Sequence, residues 1–199
     1  MRRLRLLVRA VAALFGGLML AACAGPPPKA GFPEIAFGHL PPIKLDVREV
    51  IVERAYLPPN KAPNVEHLFP VQPAEAAARW ARDRLAAAGP TRRARFIVRE
   101  AAVTETALKT KGGLEGALTI EQSQRYDARI LVELRIVGGD GRTEGRVTVQ
   151  AERSVTVPEN ITLSARERAW FELTEDIMTD LNGQLERTIR SVLFRYLVI

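Results

Sequence analysis

The chain is poor in the residues on which most enzyme chemistry depends. Its 199 residues include one cysteine, two histidines and two tryptophans, and aromatic residues make up only 6%. A single thiol cannot close a disulfide within the chain, so stability has to come from packing. The histidines, His39 and His67, make no zinc motif, which needs three or four ligands at set spacing. A serine nucleophile needs a base within reach. Gly-x-Ser-x-Gly is absent, and Ser123, Ser154, Ser164 and Ser191 have no histidine close in sequence. Gly112, Gly113 and Gly116 do not follow the spacing of a phosphate-cradling loop, so Lys109 to Ala117 reads as a hairpin connection. Glu172, Glu175, Asp176 and Asp180 are the carboxylates that a hydrolase would draw on, but a polar helix face accounts for them.

Charge of one sign is also scarcer than it looks. The formal net charge is +6, yet Arg2, Arg3, Arg5 and Arg9 crowd the first nine residues, where there is no acid. From Cys23 onward, 25 basic residues face 23 acidic ones. That balance, with no basic cluster interleaved with aromatics, sets nucleic acid aside as a partner. Arg92, Arg93 and Arg95 read as a solvated turn ahead of a strand.

The N-terminus is where the sequence speaks most clearly. The four arginines precede an apolar run, Ala10 to Ala22, of 13 residues. That is short of the ~20 needed to cross a bilayer core. A basic leader, a short apolar stretch and small residues before a cut form the secretory pattern. The run closes on Leu20-Ala21-Ala22-Cys23, which resembles the lipobox of bacterial lipoproteins. The resemblance implies a signal peptide over residues 1–22, cleavage before Cys23, a diacylglycerol on its sulfur and an acyl group on the new N-terminus. Two or three acyl chains hold a protein stably on a membrane, where one is marginal. No other cofactor is expected. Ala24 rather than aspartate after the cysteine favours, by resemblance to enteric sorting, the outer membrane and a periplasm-facing domain.

Residues 23–42 read as a tether, with Pro26, Pro27, Pro28, Pro33, Pro41 and Pro42 favouring extended geometry. Residues 43–199 read as one domain. Ile43 to Ala55 alternates as a strand, with a slip at Glu49-Val50 that suggests a bulge. Tyr56 to Gln72 holds four prolines and cannot be regular. Its Tyr56, Leu57, Val65, Leu68 and Phe69 are expected either to fold over the core or to form a partner-binding surface. Pro73 to Ala88 reads as a helix with Trp80 on its apolar stripe, stopped by Gly89-Pro90. Ala94 to Thr106 is a strand, and Tyr126–Val137 with Gly145–Val157 a hairpin turning at Asp140-Gly141. A last helix from Ala165 to about Leu193 is capped by Ser164 with Glu167 and is expected to kink at Asn182-Gly183. The order β-α-β-β-β-α predicts an α+β fold, an antiparallel sheet with two helices on one face.

The layout of lipobox, proline-rich tether, early strand and a helix bearing Arg79-Trp80-Ala81-Arg82-Asp83-Arg84-Leu85 resembles the auxiliary lipoproteins of lipid-transporting ABC systems, the PqiC-like group. The leucine is displaced from that group's pattern. The resemblance implies a helix-and-sheet domain that forms homo-oligomers or docks on a periplasmic protein channel. The lipobox, the tether and the missing chemistry predict a non-enzymatic accessory subunit with an envelope protein as partner. An envelope-assembly or cell-wall-synthase activator lipoprotein is the second reading, and a carboxylate-dependent periplasmic hydrolase the third. Replacing Cys23 with alanine is expected to leave an unprocessed precursor that takes up no fatty-acid label; normal maturation of that variant would overturn the anchoring reading.

Overall fold

A computed structural model describes residues 31–109 and 122–198. The elements are β1 (Ile43–Leu45), β2 (Glu49–Arg54), α1 (Pro73–Arg84), β3 (Leu85–Ala87), β4 (Arg93–Ala107), β5 (Gln122–Val137), β6 (Thr143–Pro158) and α2 (Leu163–Val192). Short 3-10 turns occupy Glu66–Leu68 and Phe194–Tyr196. The fold is α+β, as the sequence predicts, with both helices on the face of a four-stranded sheet ordered β2-β4-β5-β6. The sheet is not wholly antiparallel: β2 runs parallel to β4, while β4-β5 and β5-β6 are antiparallel. A parallel pair needs a crossover, and α1 supplies it.

The alternation of β4 to β6 is the physical cause of the layering. Phe96, Val98, Leu134, Ile136, Val147 and Val149 all point to the helix side and are buried. Most side chains between them carry charge or hydroxyl and face away. The tip of the β5-β6 hairpin needs Gly141, which sits at φ +83°, a conformation open to glycine without penalty.

The first predicted strand is two strands. Ile43, Leu45 and Val47 are buried at odd positions, whereas Val50 and Val52 lie against the core at even ones. A slip of one residue would turn every following side chain to the wrong face. The chain resolves it by breaking at residues 46–48 and moving to another sheet, so β1 pairs in parallel with β3 instead. That pairing also ends α1 early. Leu85 to Ala87, read from sequence as the last helical turn, are extended against β1. Gly89 is needed less as a helix stop than for proximity: a Cβ there would lie 2.6 Å from the Asp46 carbonyl carbon.

The predicted tether overlaps the domain. Ile35 and Phe37 are core residues, and Phe32 stacks on Phe171 with ring centroids 5.2 Å apart. Glu34 pairs with Arg79 at 2.8 Å, Asp83 accepts the Phe37 amide at 2.8 Å, and Arg84 donates to the Pro41 carbonyl. Residues 32–42 therefore run along α1. Proline-fixed extended backbone suits a tether, but Phe32, Ile35 and Phe37 supply apolar surface that is better buried.

α2 is unbroken through Asn182-Gly183, and its cap is Thr162, whose hydroxyl accepts the Ala165 amide at 3.3 Å, rather than Ser164. At the end of the helix Val192 is exposed and Leu193 is buried. Asn182 stays helical because its side chain is occupied: Oδ1 accepts the Trp80 indole N–H at 2.8 Å. The C-terminal segment forms an antiparallel bridge from Leu197 to Leu45, and the Val198 amide donates to Lys44. Replacing Asn182 with leucine should strand the buried Trp80 N–H and cost about 1–3 kcal/mol, read as a lower urea midpoint; an unchanged midpoint would show that the contact contributes nothing.

Candidate functional site

Strand β4 is longer than the strand beside it. The β2 pairing covers Arg93 to Val98, and the chain leaves the sheet where Ala55 and Tyr56 both donate to the Val98 carbonyl. Beyond that point the edge of β4 would be open. The proline-rich segment closes it. The Val65 amide donates to Val103 at 2.9 Å, and the Glu105 amide donates to Pro63 at 2.9 Å. The buried Glu66 carboxylate takes the Val103 amide at 3.1 Å and the Tyr56 hydroxyl at 2.7 Å. Burial, then the hydrogen bond to Glu66, pushes the Tyr56 phenol well above its ordinary value, so it remains a donor.

This arrangement divides the five residues between the two expectations, folding over the core and forming a surface. Val65 and Phe69 are 6% and 5% exposed and belong to the core. Phe69 stacks on Trp170 with centroids 5.1 Å apart. Tyr56 is half-buried over Glu66. Only Leu57 and Leu68, at 84% and 54% exposure, look outward. The physical reason is the β4 edge, whose amides need acceptors before the loop can serve anything else.

The larger surface is the sheet face away from the helices. The register places Arg95, Arg135 and Arg146 side by side across β4, β5 and β6. Like charges directly opposite are unfavourable, and acids in the next row offset them. Glu133 receives Arg99 at 2.9 Å and Arg146 at 3.0 Å, and Arg135 as well. Glu53 accepts from two of the Arg95 guanidinium nitrogens at 2.7 and 3.0 Å. Four arginines thus meet two glutamates, and the strip keeps a positive surplus. The hydrogen bond from Arg135 holds the Glu133 carboxyl below the usual range; burial opposes this, and Arg99 adds to it. Arg93 and Arg95, read as part of a turn, lie within β4. Along the same face, Ala102, Thr104 and Ser154 floor a hollow of about 630 Å³ rimmed by Arg125, Arg129 and Glu152.

The alternation of the strands shows which residues share the open face. The arginine row itself depends on register, which sequence does not give. Of the helix carboxylates, Asp180 is held by Arg153 at 2.6 Å, and Glu172, Glu175 and Asp176 are exposed. His39 is exposed and His67 half-buried. Among the described residues, no group of three histidine, cysteine or acidic side chains is placed to hold a metal, and no helix is long and apolar enough to cross a membrane. Cys23, and all but Lys109 of the glycine-rich connection at 109–117, lie outside the described residues.

No protein-family model matches the chain, and no curated protein matches it. Among solved structures, a minor lipoprotein from Acinetobacter baumannii is similar over 74% of this chain and 93% of its own, at 18% identity and a TM-score of 0.39. A likeness that loose carries no argument about this chain.

Glu133 supplies a pH test. A carboxylate with a depressed folded value stabilises the protein above its unfolded value, near ~4.3, and loses that contribution as pH falls through the folded value. Glu133→Gln should therefore be less stable than the parent near neutrality, with the gap closing in acid. Urea titrations across the pH range check this, and a gap independent of pH would show that the arginine cluster does not stabilise the ionised carboxylate.

Proposed function

We propose that the protein is a lipid-anchored envelope lipoprotein, periplasm-facing, that acts as a non-enzymatic accessory or scaffold subunit of an envelope machine. The observation that carries this reading is the order of the chain: a basic leader, Leu20-Ala21-Ala22-Cys23, eight residues, and then a domain whose core starts at Phe32, Ile35 and Phe37. Cleavage and acylation at Cys23 would leave the domain on a short leash. The expected lipid is a diacylglycerol with an N-linked acyl chain, and Ala24 favours the outer membrane.

A scaffold role is supported by the chemistry of the open sheet face. A general acid needs its pKa raised toward the working pH, and the buried carboxylate there is held down by arginines. Glu53, Glu152 and Asp180 are likewise engaged by Arg95, Arg129 and Arg153. What the face offers is a row of arginines with surplus charge, which suits an acidic protein surface and the steering of its approach. Lipid transport, by resemblance to the PqiC-like group, is the pathway this role would serve.

A photo-crosslinking side chain at Thr148, which is exposed beside Arg146 on that face, tests the reading in intact envelopes. The expected outcome is capture of an envelope protein, with recovery falling severalfold when Cys23 is replaced by alanine. Recovery of no protein partner would overturn the scaffold role.

A further inference from the structure

β6 is an edge strand, with β5 as its neighbour in the four-stranded sheet. The phase of its backbone follows from the ladder. On β4, the Val103 carbonyl and the Glu105 amide turn to the proline-rich segment, so Ala102 and Thr104 bond to β5. Their partners there are Arg129 and Asp127. Tyr126, Ala128 and Ile130 therefore bond to β6, through Val155, Arg153 and Ala151. The even-numbered row of β6 is left over. The N–H and C=O groups of Arg146, Thr148, Gln150, Glu152, Ser154 and Thr156 point outward, and among the described residues they meet no backbone partner. The row is reached just beside them, where the Tyr196 hydroxyl donates to the Glu144 carbonyl at 3.0 Å. Edge strands are usually blunted by bulges, prolines or a covering element. The register of β6 is unbroken from Gly145 to Val157, and its only proline is Pro158. The chain closes the open edge of β4 with its own loop, but none of the described residues closes that of β6.

We propose that this edge accepts an extended segment of the envelope partner as a further strand, with a carboxylate opposite Arg146. The inference rests on the scaffold reading and gives its partner a shape. Charge specifies the acid. Arg95, Arg135 and Arg146 form a cross-strand row that ends at the free edge. The arginines of that strip outnumber Glu53 and Glu133, which they share. The next position in the row belongs to whatever pairs with β6, and an acid directly opposite an arginine is favourable where a base is not. Main-chain bonds to the added strand supply affinity, and its alternate side chains supply selectivity. A second copy of this chain fits the edge less well. α2 packs mainly on β6, so joining two β6 strands would bring two α2 helices to about one strand spacing, ~5 Å. Packed helices need about 8–10 Å. An extended segment brings no helix with it.

The test uses the full, lipidated chain in intact envelopes, with the photo-crosslinking side chain at Thr148. Gln150→Pro removes an outward N–H and none of the bonds to β5, so its melting temperature should stay near the parent's. Capture of the envelope protein should fall about tenfold or more, because strand addition draws its affinity from main-chain bonds. Glu152→Pro repeats the test at a second outward amide, so that one well-folded proline variant decides. Arg146→Glu, which leaves the backbone alone, should lower capture severalfold. Capture undiminished by proline at the edge, or by Arg146→Glu, overturns this inference and leaves the scaffold role standing. A product of twice the chain's own mass in place of a second protein also overturns it, by giving the edge to another copy. Capture of nothing by the parent overturns both.

Discussion

The parallel alignment of α1 on α2 is the contact on which the other features depend. It is held by polar groups in an otherwise apolar seam, the Trp80 indole on Asn182 and Arg84 on Glu186. Arg84 is almost wholly buried, and a buried charge is costly unless it is paired. Glu186 pairs with it and the Pro41 carbonyl accepts from it, while its Nε is buried without an acceptor. Because the Pro41 carbonyl is one of the partners, the N-terminal segment is part of the solution. Removing it would leave the guanidinium with less than it needs, and it would also expose Ile35 and Phe37.

The same alignment explains the mixed sheet. A helix that leaves β2 and returns the chain to β4 in parallel must cross the sheet face once, and α1 does so beside α2. The remaining length of β4 is then without a neighbour. The proline-rich segment fills that place with Val65, Pro63 and the Glu66 carboxylate. Hydrogen bonding to the β4 edge and burial of Val65 and Phe69 together decide where the segment lies, because an unpaired buried amide costs about 1–3 kcal/mol.

Opposite the helices, the sheet solves an electrostatic problem. Three arginines in one cross-strand row repel one another, and Glu133 and Glu53 in the next row answer them. The charge that remains faces outward.

Much of this was legible in the residues. Period-two alternation gave β4, β5 and β6 and their buried faces. Three- and four-residue spacing gave both helices and the place of Trp80 in the core. The slip at Glu49-Val50 marked where the first strand fails. The resemblance of the leader and Cys23 to a lipoprotein signal is a property of the sequence alone, and those residues lie outside the described structure. Other features needed partners distant in the chain. Asn182-Gly183 looks like a break until Trp80 occupies the asparagine. Leu85 to Ala87 look helical until β1 pairs with them. Phe32 to Pro42 look like a tether until α1 offers a groove, and Val65 and Phe69 are open to core or surface until the β4 edge claims the loop. Local periodicity fixes which face of an element is apolar, but only the assembled structure decides which element meets that face and which backbone groups still need a partner.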